Sequence, residues 1–504
     1  MTAMRYIITA IIIPIFQTYS VSQITDPSLK NYGMALNIVK KSILAYGGES
    51  VCKETVGFNL YGTNYISGHF DAPEKYIPAP DTEKIVFHKL TDCIQYYGEL
   101  RYNNRIVQSA IFVRPDSSFT LEFFSSSVDK GTKDDKNGLY LYLPSKFLMF
   151  VWDNLKTLSY LSATKEHNIV AWTDDLGKKY NCFINKKTNL IDKINVVVYD
   201  DLYGDCLDEN IYSNYKKIDN KLYVPQKYSK TEHSLPERTL SYEKFNFTAE
   251  MDTNIVKFLN PTWKYSETPK QPKLEIEKIT DNLSLIKLLG YNNKVMVAEF
   301  SDYIMLFESP KNTGINTEIR QSLQKQFPNK PIRYVALSHH HPDHAGGFSA
   351  HVQGNTQIIT TKGNVAYFEK LLKSTHTLKP ENTISPTKLL VKTIAAKDSL
   401  IIKDKDNQVI IYEAGENTDH VQEFLFFYFP IQKILFVGDL VMFPQKGISD
   451  QRKRAYSVYK LIEDKKLNVE KIYTSWPLKE QKPYGTMPDL KASLAKNYPD
   501  IQDN

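Results

Sequence analysis

The chain has 504 residues, 42% of them hydrophobic and 24% charged, with a formal net charge of +6. This is the composition of a globular protein long enough for two or three domains. Lys and Arg are scattered among Asp and Glu with no basic stripe or tail, which argues against a nucleic-acid-binding surface.

Residues 1–22 read as a secretory signal, with Arg5 as the basic end, Tyr6 to Phe16 as the apolar core, and Ser20-Val21-Ser22 as small residues before a cut near Gln23. The apolar core is shorter than the roughly 20 residues a membrane span needs, and no second long apolar stretch follows. The mature protein is therefore expected to be exported, periplasmic or secreted, with no integral membrane span after signal removal.

Residues 23–262 read as a β-rich α+β domain. Leu36, Val39 and Ile43 recur at helical spacing, and Gly47-Gly48 ends that helix. Short strands follow, among them Ile194–Tyr199 and Lys221–Tyr228, with a turn at Asp200–Gly204 and a mobile loop expected over Lys130–Gly138. The 33 tyrosines agree with a strand-rich chain. Cys52, Cys93, Cys182 and Cys206 all lie in this half. In an exported protein an even count predicts at least one disulfide, with the pairing left open. No Cys-x-x-Cys spacing points to a structural zinc on them. Residues 263–274, with Pro269 and Pro272 among Lys, Glu and Gln, read as a stiff polar linker to a metal-binding domain over 275–504.

In that second domain Ile332–Leu337 reads as a short buried strand. It runs into Ser338-His339-His340-His341-Pro342-Asp343-His344, then Gly346-Gly347. His-x-His-x-Asp-His places four potential ligands within six residues, on what reads as a solvated loop at a strand end. Imidazole and carboxylate together suit zinc and similar ions. His340 is expected to point away from the ligands. His420 precedes an aromatic strand over Glu423–Phe429; Pro430-Ile431-Gln432 reads as a turn, Lys433–Val437 as the return strand, and Gly438-Asp439 as its end. A hairpin centred on Pro430 would bring His420 and Asp439 to one end of a sheet. Taken singly, each would be an ordinary surface residue. Behind the histidine loop they become candidate ligands.

These pieces, with the opening strands over Glu275–Phe307, resemble the metallo-β-lactamase fold superfamily. The resemblance implies an α/β domain, an αββα sandwich of two mixed sheets flanked by helices, with the metal loops at one edge. It further implies one metal held by His339, His341 and His420, and a second held by Asp343 and His344, with Asp439 bridging. One or two zinc ions are the expected cofactor. The family's last ligand, a histidine near the C-terminus, has no counterpart: Ser475 or Trp476 stands in its place, and no histidine follows His420. His376 could substitute in principle but reads as a helix or loop surface residue. Three readings follow: a second metal held by Asp343, His344, Asp439 and water; a single metal; or a domain that has lost catalysis.

The leading expectation is a zinc-dependent hydrolase acting on a small molecule. Its metal-activated hydroxide would attack an ester, thioester, lactam or phosphoester, with Asp343 as the catalytic residue that orients the water or accepts its proton. The redox-active di-iron branch of the family carries an acidic residue where this chain has His341, which favours hydrolysis. The alternative is an exported binding or scaffold protein with a degenerate or structural metal site, its function carried by the N-terminal domain. That domain is loosely similar to the half-barrel of the periplasmic lipoprotein-carrier family, which implies a concave sheet for an apolar ligand or a partner.

Overall fold

The computed structural model describes residues 21–66, 71–89, 92–102, 105–115, 117–123, 126–251, 264–265, 273–380, 388–415, 418–449, 451 and 453–501. The leader expected over 1–22 lies outside them except for Val21 and Ser22, which open a helix running Val21–Tyr46. Ala35, Val39, Ile43 and Tyr46 form its buried face, spaced as one side of a helix requires. Gly47 and Gly48, with φ of 130° and 92°, turn the chain out of it.

Most of the N-terminal half is one sheet of fourteen strands among the described residues, from Val56–Ile66 to Leu235–Asn246 and on to Lys264–Tyr265. Neighbouring strands are antiparallel except Lys264–Tyr265, which runs parallel to Ser127–Lys130 at one edge. One face packs on the opening helix and on a helix over Pro144–Trp152, whose Phe147, Leu148 and Val151 are buried among sheet residues. Phe147 meets Trp172 and Tyr180 at ring-centroid distances of 6.1 and 5.3 Å. The protein's own aromatic side chains therefore fill the apolar face of this sheet.

Three expectations for this half are corrected. Lys130–Gly138 is not a loop: a strand ends at Lys130 and a helix spans Lys133–Tyr140. The Thr132 hydroxyl accepts from Asp135 N (3.2 Å), and the Asp135 carboxylate accepts from Thr132 N (2.7 Å). This reciprocal cap satisfies two helix-end donors and outweighs the polar composition. Lys221–Tyr228 is two strands: Leu222–Val224 pairs with Lys216–Ile218, while Lys227–Glu232 joins the large sheet. Pro225 between them has no N–H to continue a ladder. Finally, all four cysteines are thiols. Cys52 closes a short helix, Cys93 opens a strand, and Cys182 and Cys206 lie on the non-adjacent strands Lys179–Asn185 and Gly204–Ser213. Burial pushes the Cys182 thiol up to about 12.

Of the linker expected over 263–274, residues 263 and 266–272 lie outside the described residues, Lys264–Tyr265 is an edge strand of the large sheet, and Lys273 begins the first strand of a second body. That body has two sheets. The first has seven strands, from Lys273–Thr280 to Val391–Ile394; the second has five, from Ser399–Lys403 to Lys471–Tyr473. Met296, Phe307 and Ile359 of the first sheet and Phe427 and Phe436 of the second share one buried cluster, with Phe307 and Phe427 ring centroids 4.9 Å apart. Helices Thr313–Gln326 and Val365–Leu372 cover the outer face of the first sheet. Lys453–Asp464 and Met487–Leu494 cover that of the second. The domain is thus the expected αββα sandwich. Strand Ile304–Phe307 is parallel to Ile332–Ala336, and Ile434–Phe436 to Lys471–Tyr473. Their carboxyl ends release Glu308, Ser338, Val437 and Thr474 onto one edge, where Leu425 N donates to Ser338 O and Ser475 N to Gly438 O.

Candidate metal centre

The histidine loop is buried rather than solvated: His339 is 0%, His341 1% and His344 0% exposed. Strand Ile332–Ala336 delivers Ser338 and His339, and a short helix over Pro342–Ala345 turns Asp343 and His344 back toward them. Gly347 lies against Asn316, whose Nδ2 would stand 1.8 Å from an added Cβ. Gly438 must be glycine for two reasons: its φ is 59°, and a Cβ would meet Phe424 at 2.7 Å. That turn aims Asp439 at the histidines.

His339 Nε2 lies 2.9 Å from His341 Nδ1 and 3.2 Å from His420 Nε2. A tetrahedral ion with bonds of about 2.0–2.1 Å to nitrogen holds its ligand atoms about 3.3 Å apart. The three nitrogens therefore already stand close to the spacing of a zinc coordination shell. Burial first, then the neighbouring imidazoles of His344, His341 and His420, holds His339 well below the usual histidine range, so its lone pair is available to a metal. Ser338 Oγ sits 2.9 Å from His339 Nδ1 and fixes that ring's other side. The ring of Phe424 stacks on His339 at 4.9 Å.

His339, His344 and Asp439 form a second group of mutually close ligand atoms. His420 Nε2 is 3.1 Å from Asp439 Oδ2, so Asp439 reaches both groups. His344 Nε2 and Asp439 Oδ1, 3.8 Å apart, are buried atoms with no hydrogen-bond partner. Polar atoms are rarely buried so without a reason, and a cation between them supplies one. Asp343 stands at the edge of this group, its Oδ2 3.6 Å from His344 Nε2. Asn293 Nδ2 donates to its backbone carbonyl at 3.0 Å.

Sequence reasoning missed the residues behind these ligands. Glu308, fully buried, places Oε1 3.2 Å from His344 Nδ1 and accepts from Ser338 N at Oε2 (3.3 Å). Its φ of 80° is costly for a non-glycine residue, and such strain gathers at functional sites. Its position directly after an apolar strand was the available signal. Of the two residues expected where the last histidine is missing, Ser475 or Trp476, Ser475 places its hydroxyl 3.1 Å from His344 Nδ1. Lys294 anchors that segment: its N donates to Ser475 O (2.7 Å), and its buried Nζ to Thr474 Oγ1 and Pro477 O (both 3.0 Å). Burial lowers the Lys294 ammonium to about 8. Burial also opposes charge on His344, but the Asp343, Glu308 and Asp439 carboxylates outweigh it and raise that imidazole to about 10. A metal bound there must displace its proton. Burial opposes charge on Asp439 too, but His420, His344 and Arg454 hold it far below the usual carboxylate range. Arg454 Nη1 lies 3.9 Å from Asp439 Oδ2.

His340 is buried beside the ligands, its ring 4.9 Å from His341 and 6.2 Å from Tyr367. His376 is far from ligand duty: its Nδ1 is bonded to Tyr199 of the N-terminal domain at 3.0 Å.

Residues 313–476 match the family model described as the metallo-beta-lactamase superfamily. No curated protein matches the chain. Among solved structures, the metallo-beta-lactamase FIM-1 from Pseudomonas aeruginosa in its mono-zinc form is 15% identical with a TM-score of 0.35, over 47% of this chain and 99% of that one. A metallo-beta-lactamase from Pontibacter korlensis is 17% identical with a TM-score of 0.33, over 46% and 100%. One from Hirschia baltica is 17% identical with a TM-score of 0.31, over 44% and 95%.

Proposed function

We propose, from the match of residues 313–476 to the metallo-beta-lactamase superfamily model, that this protein is a zinc-dependent hydrolase of a small molecule carrying an ester, thioester, lactam or phosphoester. The observation that carries the proposal is the convergence of His339 Nε2, His341 Nδ1 and His420 Nε2 at the spacing of one coordination shell. These three would hold one zinc; His344, Asp343 and the shared Asp439 would offer ligands to a second. Zinc, when bound, supplies an activated water near neutral pH and a Lewis acid for the developing negative charge.

The chain's own groups do the rest. Asp343, at the edge of the second group, would orient the attacking water and take its proton. Glu308 and Ser338 fix the rings of His344 and His339 through their other nitrogens, so that the metal-facing lone pairs keep their direction. Lys294 and the Ser475 backbone hold the wall that replaces the family's last histidine. The leader-like segment 1–22 supports the further proposal that this chemistry takes place outside the cytoplasm.

The test is metal content and turnover together. The purified full chain is expected to carry one or two zinc ions and to hydrolyse at least one compound of an ester, thioester, lactam and phosphoester panel, with both properties lost in His341→Ala. A wild-type protein without metal under non-chelating conditions would overturn the reading.

A further inference from the structure

The compact sandwich contains every candidate ligand, yet residues of two turns of the N-terminal sheet pack against it, one on the His420 loop and one on the helix behind the histidine loop. The first is the segment between strands Val56–Ile66 and Ile77–His88. There Asp71 makes two bonds to Gln422, two residues beyond His420: its carbonyl accepts from Gln422 N (2.9 Å) and its Oδ2 from Gln422 Nε2 (2.8 Å). Lys75 Nζ stands 3.5 Å from the same carboxylate oxygen. The metal domain braces the other side of this loop itself, Glu423 accepting from Thr361 Oγ1 (2.7 Å) and Gly363 N (3.2 Å). The His420 loop is thus held between the two domains.

The second tip is the turn between strands Ile191–Asp200 and Gly204–Ser213. Its Tyr203, with Tyr76 of the first tip, packs into the apolar cluster that includes Tyr367 and Phe368. Tyr203 is stacked on His233 at 4.4 Å and lies under Lys370, whose Nζ is 5.9 Å from the ring and paired with Glu74. Tyr367 in turn backs His340, between the ligands His339 and His341. A continuous packed path leads from the N-terminal sheet to both halves of the three-histidine group.

We propose that the N-terminal domain is part of the metal centre, setting the two metal-binding loops through Asp71 and Tyr203 as positioning residues. This rests on the zinc reading above and adds to it the role of the first domain. Groups hydrogen-bonded directly to metal ligands typically change affinity by about 10–100-fold when removed; Asp71 and Tyr203 act one contact further out, so effects at or below the low end of that range are expected. A third contact provides the control. The Asp205 carboxylate, at the start of the strand after that turn, accepts from Thr377 N (2.6 Å) and Leu378 N (3.0 Å) instead of meeting the His420 loop.

The experiment measures zinc affinity of the full chain by chelator competition, the visible spectrum of the cobalt(II)-substituted protein, and thermal unfolding of the metal-free form. Tyr203→Ala is expected to lose about tenfold in zinc affinity and to change the cobalt bands, and Asp71→Ala to lose about threefold. Tyr203→Phe, which keeps the ring, should return to within about threefold of wild type, and Asp205→Ala should stay within about twofold. Wild-type zinc affinity in both Tyr203→Ala and Asp71→Ala would overturn the inference and leave the hydrolase reading intact. So would an equal loss in Asp205→Ala that simply follows metal-free stability. A wild-type chain that binds no zinc would overturn both.

Discussion

In the N-terminal sheet the buried Glu83 carboxylate collects donors of the opposite character: Tyr96 OH at 3.0 Å, Tyr142 OH at 3.1 Å and Arg238 Nη1 at 2.6 Å all reach its Oε1. In the metal centre, equally buried, nitrogen faces nitrogen at 2.9 and 3.2 Å, and His344 Nε2 and Asp439 Oδ1 face each other without a hydrogen bond. Both clusters lie in protein interior, so burial alone does not separate scaffold from site. Complementarity does. Donors converging on one carboxylate oxygen hold Glu83 in place even though its Oε2 is buried without a partner, whereas ligand atoms gathered around a common point call for a cation.

Two substitutions break this contrast most strongly. His341→Ala removes one of three ligands from the closest group, and zinc affinity is expected to fall by about a thousandfold or more, since a structural or catalytic zinc needs three to four protein ligands. Elemental analysis after dialysis reads the loss, and metal-free stability should barely change. Arg238→Ala does the reverse. It leaves Glu83 in the sheet without its cation, which costs about 3 kcal/mol in urea unfolding, while zinc per chain should be unaltered. Equal zinc loss in Arg238→Ala would mean that the two clusters are not separable.

The same contrast explains what could be read from the chain. The convergence of His339, His341, His344, His420 and Asp439 was legible because ligand chemistry restricts residue type and the strand-turn-strand pattern placed His420 and Asp439 together. The sandwich was legible through that motif and through continuous apolar strands such as Leu425–Phe429, buried on both faces. Glu308, Ser475, Lys294 and Asp71 were not, because each acts through one partner distant in sequence and a single acid or serine in a turn has many ordinary uses. The helix over Lys133–Tyr140 was hidden by its charges, which serve its capping and exposed face, and the cysteines by an even count that geometry does not bring together.

A pH titration sharpens the comparison further. Burial, outweighing Arg238, pushes the Glu83 carboxyl up from an ordinary 4.5 to about 7. The folded state therefore binds a proton more tightly than the unfolded state. The stability this contributes is complete below about pH 4.5 and is lost as pH rises through about 7, on the order of 1–3 kcal/mol in total. Glu83→Gln should flatten that fall in metal-free protein. Zinc affinity should move in the opposite sense, strengthening as pH rises and the ligand histidines shed their protons. If the two profiles ran in parallel, proton release from the ligands would not be what controls binding.

The smallest effects separate the two groups behind His344. Its Nδ1 faces both Glu308 Oε1 at 3.2 Å and Ser475 Oγ at 3.1 Å, and only one can be the main acceptor of its proton. The carboxylate is the stronger acceptor because the bond is charge-assisted. It also accepts from Ser338 N, so removing its charge disturbs the His339 side as well. Glu308→Gln is therefore expected to weaken zinc binding about tenfold. Ser475→Ala should cost less than about threefold, the scale of one neutral hydrogen bond that the carboxylate can take over. The reverse order in chelator competition would make the serine the group that orients His344, and the buried Glu308 a structural residue like Glu83.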